Sequence, residues 1–492
     1  MAIASCDALD QDPSTAVTVD TAITSVDDLA NAVNGAYYVA TYGTMLTVAS
    51  EMAIYADLIG PDSYQPASSG QNASRMAQFS LTANDTYNAY FYLYSAIASI
   101  NNAIEQAALL EDQEGAAPYV AELYAMRGLF HFHLATFFAP IPTSGSSNQM
   151  GIVLSDKVFD IDYIGQRASL VATYEFIISD FTKAIDSGLN KGRNTGHMNY
   201  WAALALRARA NLYAGNNAAA LADAQEIMDE SPYRLYTIDN YMKAWSQEGA
   251  DEVIMEYIQT DTYNPQRYAP GYYASPRGYS EYGVSPQFYA WLQSDPSDVR
   301  SQAVADYSVA PSGEPDYNTG YYPLKFPGNA GASVPAYTNN VKVFRLSEAV
   351  LIAAEAALKT GADPSPYMNL LRRNRIQGYV DVDEVTLEDI LDERRKELFA
   401  EGQIAFDFWR NGLPVVKEGI YKEHFHLHPK QYIYSREMEG QKLLVVCAFS
   451  EKSQKMQLPK GFDLASATCI LHNYPKCNSP ILRPYECRVY QW

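Results

Sequence analysis

The dominant pattern along the chain is helical. In "APYVAELYAMRGLFHFHLATFFAPIP" the apolar positions Val120, Leu123, Met126, Phe130, Leu134 and Phe137 recur at spacings of three and four, which places them along one side of a helix. Pro140 and Pro142 stop it. "RASLVATYEFIISDFTKAI" repeats the pattern through Leu170, Tyr174, Ile177, Phe181 and Ile185, starting at Ser169 or just before. "FRLSEAVLIAAEAALKTG" is Ala-rich, ends at Gly361, and is followed across a short turn by "PYMNLLRRNRI". "TLEDILDERRKELFAEG" is the last clear helix, with Thr386 and Asp389 as its capping box. Its charges fall mostly opposite Leu387, Ile390, Leu391 and Leu398, so the pattern predicts a solvated face with intrahelical pairs; Trp409 beyond it is expected to pack.

"NYWAALALRARANLYAGNNAAALADAQEIM" carries more information. Ala202, Ala205, Ala208 and Ala210 let a second helix approach closely, Gly215-Asn216-Asn217 turns the chain, and Ala220, Ala224 and Ile227 face back. The unit resembles a tetratricopeptide helix-turn-helix, in which each pair buries its face against the next. The predicted class is therefore mainly α, with irregular spacing between helix pairs.

One region breaks the helical texture. From Tyr257 to Tyr337 the chain holds 13 tyrosines among Pro, Gly, Ser and Asn, as in "QRYAPGYYASPRGYSEYGVSPQFYAWL". A turn-rich, aromatic insertion of this length in a compact protein points to function more often than to filler. The whole chain carries 39 Tyr against 18 Phe and 5 Trp. Tyr offers a flat apolar face with a polar tip, suited to stacking on and hydrogen-bonding an uncharged, hydroxyl-rich ligand, although most single copies simply pack.

Charge removes one class of partner. With 36 Lys and Arg against 57 Asp and Glu, the net charge of −21 repels nucleic acid and anionic membrane surfaces. No segment supplies the roughly 20 unbroken apolar residues that span a bilayer. The N-terminus suggests another route to a membrane, because Ile3-Ala4-Ser5-Cys6 matches a bacterial lipobox whose cysteine is acylated through its thiol. Residues 1–6 then read as the remnant of a lipoprotein signal with its upstream part missing, and "DALDQDPSTAV" as a tether.

These pieces together resemble the SusD/RagB family of outer-membrane nutrient-binding lipoproteins. The matching stretches are the lipobox with "LDQDP", then "LYSAIASINNAIE", "AELYAMRGLFHFHLATFFAPIP", "ALALRARANLYAGN", "RLSEAVLIAAEAAL" and "ERRKELFAEGQIAFDFWR", in the family's order over about residues 6–416. The resemblance implies a helical superhelix of tetratricopeptide-like pairs on one side and irregular loops forming a glycan site on the other. It implies attachment to the outer membrane through Cys6 and a TonB-dependent SusC-like porin as partner. It also implies that ligand binds through loops beside the first helices. With the aromatic density, that gives Tyr272, Tyr273, Tyr279, Tyr282 and Trp291 as one wall of the site and Tyr55, Asp57, Tyr64 and Tyr87 as the other. A metal or cofactor is not expected.

From about Gly419 the text changes. "QYIYSRE...EGQKLLVVCAFS" reads as paired strands and "LRPYECRVYQW" as a closing strand, and the segment resembles the C-terminal β-domain of family 13 α-glucosidases. From Tyr421 onward there are 10 Lys and Arg against 6 Asp and Glu, a net of +4, which leaves −25 on the preceding residues. Cys447, Cys469, Cys477 and Cys487 and four of the seven histidines also lie here. Unpaired thiols suit a reducing cytosol better than a surface protein. The expected organisation is a signal remnant at 1–6, a glycan-binding body at 7–418 and a foreign β-rich tail at 419–492. The tail reads as a recombination or gene-assembly join near "VVKEGIYKEH", with a natural domain fusion as the alternative.

Other constellations have plainer readings. His424, His426 and His428 could hold a metal if extended, but without a carboxylate cage they fit a solvent-facing edge strand better. The tail cysteines contain no CxxC pair, and sequence alone does not decide their pairing. His131 and His133 sit in a packed helix and read as structural. A glycoside hydrolase would need two carboxylates flanking the bond on a strand-helix barrel, and no such pattern occurs, so the chain reads as a non-enzyme. A tetratricopeptide-type scaffold that binds protein is the main competing class.

Overall fold

The computed structural model describes residues 22–41, 47–66, 69–77, 81–85, 87–110, 113–160, 162–193, 196–246, 249–309, 318–412, 420–425, 428–438, 441–474 and 479–492. Cys6, His426, Cys477 and Gly419 lie outside them. The described residues fall into two compact units, one within Met1–Ile141 and Met150–Phe408 and one within Pro142–Gln149 and Trp409–Trp492.

In the first unit helices α1 (Val26–Thr41), α2 (Met52–Leu58), α3 (Ser74–Ala77), α4 (Tyr87–Ala107), α5 (Ala116–Phe138), α6 (Leu170–Asp186), α7 (Tyr200–Ala214) and α8 (Asn217–Glu230) come first. Short helices α9 (Pro270–Tyr273) and α10 (Pro286–Leu292) follow, then α11 (Leu346–Thr360), α12 (Ser365–Arg373), α13 (Leu387–Leu398) and α14 (Ile404–Asn411). The stack runs in order: α1 packs on α4, α4 on α5, α5 on α6, α6 on α7, α7 on α8 and α8 on α11. This is the mainly α superhelix expected from the periodicity.

Local chemistry sets the helix ends. Ser169 caps α6 by accepting the Ala172 N–H at 3.1 Å, and Asn199 caps α7 by accepting the Ala202 N–H at 2.8 Å. Gly215, at φ 86°, closes α7 in the left-handed region and turns the chain into α8. Thr386 and Asp389 form the reciprocal capping box of α13. Helix α5 buries more than one face. Ala121, Leu123, Met126, Leu129, Phe130 and Leu134 are all fully buried, because α1, α4 and α6 cover it from different sides. His131 is part of that core: its Nδ1 contacts the Arg127 carbonyl oxygen at 2.9 Å, and Nε2 accepts the Ser155 N–H at 3.2 Å.

Short strands punctuate the stack: β1 (Ser63–Tyr64), β2 (Met150–Val153), β3 (Arg167–Ser169), β4 (Val253–Tyr257), β5 (Gly283–Val284), β6 (Val304–Tyr307), β7 (Gly320–Pro323) and β8 (Val341–Arg345). The Tyr-rich insertion is one excursion with a paired stem. β4 and β8 run antiparallel, Val253 opposite Arg345 and Tyr257 opposite Val341, so the insertion leaves and rejoins the body at one place.

The charge run of α13 corrects the sequence reading. Glu393, Arg394 and Glu397 are buried rather than solvated. Glu397 bonds Arg375 Nε at 2.9 Å and Arg345 Nη1 at 3.0 Å, Glu393 meets Arg300 at 2.6 Å and Arg372 at 2.6 Å, and Arg394 meets Asp407 at 2.7 Å. Arg395–Asp392, at 2.8 Å, is an intrahelical pair of the kind expected. The reason is that partners arrive from other elements: Arg345 from the stem, Arg300 from the insertion, Arg372 and Arg375 from the end of α12 and the turn after it, and Asp407 from α14. A helix with charges on its inner face is stable only where each has a partner. These ion pairs fasten the Tyr-rich insertion to the helical stack.

In the second unit the strands are β9 (Ile420–His424), β10 (Gln431–Met438), β11 (Gln441–Ala448), β12 (Gln454–Lys455), β13 (Thr468–His472), β14 (Ile481–Leu482) and β15 (Cys487–Gln491). Five of them form an antiparallel sheet in the order β13-β15-β11-β10-β9, with β10 and β11 paired as a hairpin and β15 inserted beside β11. One face buries Ile433, Leu444, Val446, Leu482 and Tyr490 as the tail's own core. His424 lies on the edge strand β9, as expected, but it is half-buried rather than solvent-facing: its Nε2 meets Ser435 Oγ at 2.9 Å and its ring packs 5.6 Å from that of Phe462.

Candidate functional site

Within the insertion the backbone doubles back on itself. Tyr279 N–H donates to the Tyr272 carbonyl at 3.0 Å and Glu281 N–H to the Tyr273 carbonyl at 2.7 Å, so residues 279–282 lie against α9. Gly278 makes this return possible, since a Cβ there would strike the Tyr272 backbone. The fold-back gathers rings. Tyr272 meets Tyr279 at 5.0 Å and Tyr337 at 5.4 Å between centroids, and Tyr268 lies 6.5 Å from Tyr279. All four are half-buried, with part of each ring open to solvent. Arg267 is fully exposed, and hydrogen bonds to the Tyr337 and Tyr279 hydroxyls raise its pKa.

A loop from the first helices closes in beside this platform. Gly70 N–H donates to the Tyr279 carbonyl at 2.8 Å, and the Glu281 carboxylate accepts the N–H groups of Asn72 at 2.7 Å and Ala73 at 3.1 Å. The loop walls a cavity of about 380 Å³ lined by Tyr55, Gln71, Asn72, Asn84, Asn88 and the Arg75–Asp85 pair. Arg75 Nη1 donates to both Asp85 carboxylate oxygens, at 2.7 and 2.9 Å, and hydrogen bonds from Thr82 and then Arg75 hold the Asp85 carboxyl down at about 2. Amide groups that both donate and accept, beside open ring faces, suit a neutral polyhydroxylated ligand in a site of ordinary pocket size.

The expected site residues separate into groups. Tyr272 and Tyr279 belong to the platform and Tyr55 to the cavity wall. Tyr273 lies beneath Tyr279, 1% exposed, and Tyr282 and Asp57 are each 2% exposed, so these three are core residues with no face to offer a ligand. Asp57 spends its carboxylate on the backbone of Gly402, Gln403 and Ile404 at the start of α14. Trp291 and Tyr64 sit apart from the platform. Arg395 and Lys396 lie over the Trp291 ring at 4.7 and 4.6 Å, and Tyr64 packs in the β1–β5 pair. Tyr87 opens α4, and its side chain lies outside the described set. Sequence reasoning missed Tyr268, Tyr337 and Arg267, although both tyrosines lie in the segment it singled out. It also missed the cavity amides, visible as the Asn and Gln of "SGQNASRMAQFSLTANDTYN".

Among the described residues no group of three His, Cys, Asp or Glu is placed to hold a metal ion, and no helix is long and apolar enough to cross a membrane.

Comparison with known proteins agrees with this architecture. Residues 226–443 match the model of the SusD family, and residues 7–212 match the model described as starch-binding associating with outer membrane. The chain belongs to the SusD/RagB family. The first of these matches runs past residue 419, through β9 and β10. No curated protein matches the chain. Among solved structures, a SusD superfamily protein from Bacteroides thetaiotaomicron is 27% identical with a TM-score of 0.73, over 79% of this chain and 90% of that one. One from Bacteroides vulgatus is 28% identical with a TM-score of 0.71, over 79% and 89%. The surface glycan-binding protein A of B. thetaiotaomicron, solved with laminarihexaose, shares the fold at 19% identity and a TM-score of 0.65, over 78% and 90%.

Proposed function

We infer that this protein is a surface glycan-binding lipoprotein that captures oligosaccharides and passes them to a TonB-dependent SusC-like porin. The observation that carries the reading is the Tyr268, Tyr272, Tyr279 and Tyr337 platform beside the amide-lined cavity. Sugar rings stack their apolar C–H faces on the tyrosines while Asn and Gln side chains and Arg267 bond the hydroxyls. Family membership supports it, as does a solved family relative bound to laminarihexaose. The reading excludes catalysis: the chain binds glycan and does not cleave it. Cys6 anchors the body to the outer membrane by its lipid, and the tail beyond residue 443, where the SusD family match ends, is foreign to the family and makes no ligand contact.

Affinity gels loaded with laminarin or starch test the binding function. Retardation without hydrolysis supports it, cleavage would make the protein an enzyme, and no retardation on any polysaccharide of a wide panel leaves a protein-binding scaffold. Replacing Tyr272, Tyr279 and Tyr337 together by Ala should abolish retardation; if it persists, the site is elsewhere. The anchor is tested separately. With a complete signal in front, Cys6→Ala should release the protein from the membrane fraction.

A further inference from the structure

Sequence leaves the pairing of the tail cysteines open, and the structure places two of them face to face. Cys447 on β11 is the register partner of Cys487 on β15. In an antiparallel ladder, hydrogen-bonded and non-hydrogen-bonded pairs alternate. Ala448 N–H donates to the Glu486 carbonyl at 2.8 Å and Trp492 N–H to the Lys442 carbonyl at 3.0 Å, which makes 448/486 and 442/492 the hydrogen-bonded sites. Cys447 and Cys487 therefore occupy a non-hydrogen-bonded pair, where Cα atoms lie about 4.5 Å apart and side chains on one face approach most closely. That separation falls in the range of about 4.4–6.8 Å that a disulfide spans without moving the backbone. Their sulfurs meet at 2.7 Å. Cys469 does not compete, because it lies opposite Tyr490 and packs against the apolar core on the other face of the sheet.

We propose that Cys447 and Cys487 are an oxidation site, closing to a cross-strand disulfide that fastens the closing strand β15 to β11 when the chain meets a disulfide-bearing oxidant. The hydrogen bond with Cys447 holds the Cys487 thiol below its ordinary value, so Cys487 is the readier thiolate. It attacks one sulfur of the oxidant's disulfide and releases the other as a thiol. Cys447 then loses its proton and attacks the Cys487 sulfur of the mixed disulfide, breaking that bond and releasing the oxidant's second half as a thiol. One S–S bond has formed in the protein, one has broken in the oxidant, and two electrons and two protons have passed to the oxidant. The consequence reverses the compartment argument from composition, because this pair suits an oxidising, exported setting. The bond would enclose a 40-residue separation that contains β12, β13 and β14.

The test incubates the purified full chain with oxidised glutathione, blocks free thiols, and digests without reductant using trypsin and a glutamyl endopeptidase. Cleavage after Glu486 is needed to part Cys487 from Cys477. Mass spectrometry should find the Cys447 peptide joined to the Cys487 peptide, and the link should vanish with reductant. Recovery of both cysteines as blocked thiols, or linkage of either to a different cysteine, overturns the proposal. Reductant should also lower the melting temperature of the oxidised protein by several degrees but leave that of Cys447→Ser unchanged. An equal shift in the variant would assign the effect to another bond.

Discussion

The Asp57 carboxylate accepts the backbone N–H of Ile404 at 2.9 Å, joining α2 to the first residue of α14 across 347 positions. The same carboxylate takes the N–H groups of Gln403 at 3.0 Å and Gly402 at 2.8 Å. Burial outweighs these donors and pushes its pKa from 3.8 up to about 7. A carboxyl raised in the folded state makes folding less favourable as pH rises from about 4 through 7, because the folded chain holds a proton the unfolded chain has lost. Asp57→Asn keeps the shape but turns an N–H₂ group toward one donor, a cost of about 1–3 kcal/mol. Urea unfolding should show the wild-type advantage over Asp57→Asn to be larger at pH 4.5 than at pH 8. A difference constant across that range would remove Asp57 as the titrating group.

Tyr279 and Tyr282 lie three residues apart and should respond to truncation in opposite ways. Tyr282 is buried, so Tyr282→Ala leaves a core cavity costing about 3–5 kcal/mol in stability. Tyr279 is a half-buried member of the platform. Tyr279→Ala should cost about 0.5–1.5 kcal/mol in glycan affinity, taking aromatic pairs as a guide, with a much smaller change in melting temperature. Calorimetric titration and thermal melts separate the two. If Tyr282→Ala binds weakly yet melts like the parent, the assignment of core and platform is reversed.

The contrast between those tyrosines shows where sequence stops being legible. Periodicity located α5, the start of α6 at Ser169 and the α7–α8 turn at Gly215, because each depends on residues within a few positions of one another. The Tyr-rich segment was recognisable as an insertion, yet composition does not say which rings face inward. That is decided by the fold-back at Gly278 and by the loop that Glu281 holds through Asn72 and Ala73, contacts more than 200 residues apart. The α13 charges were misassigned for the same reason. Spacing within a helix shows which residues share a side but not that Arg345 and Arg375 come in to meet Glu397.

Glu397 sits fully buried between Arg345 and Arg375, and their charges hold its carboxyl well below the usual range against desolvation. Removing one member leaves buried guanidinium groups short of a partner, so Glu397→Ala should destabilise the body by about 3–5 kcal/mol at neutral pH. A depressed folded pKa means this stabilisation is present above the ordinary Glu value and is lost as pH falls toward the folded one. The mutational penalty, followed by urea midpoints, should therefore shrink in acid below about pH 4. A penalty below about 1 kcal/mol at pH 7 would show that Glu252 and Glu401 neutralise the arginines without it.

The tail offers the last prediction. One face of its five-stranded sheet packs Ile433, Leu444, Val446 and Tyr490 against Leu482 of β14 and against Met456 and Phe462, a core cluster made of tail residues. Leu444 and Val446, the apolar run of "KLLVVCAF", are satisfied inside that sheet. The stack from α1 to α13, the ion pairs of the stem and the tyrosine platform are all complete before residue 409. A chain ending at Lys417 should therefore keep its helical circular dichroism, a single cooperative melt near that of the body in the full chain, and its retardation on glycan gels. Residues 420–492 expressed alone should show the complementary β signal. The SusD family match up to residue 443 argues the other way, since it counts β9 and β10 with the body. A truncated chain that melts without cooperativity or loses retardation would show that those strands belong to the body, and ending the chain at residue 443 instead should then restore both properties.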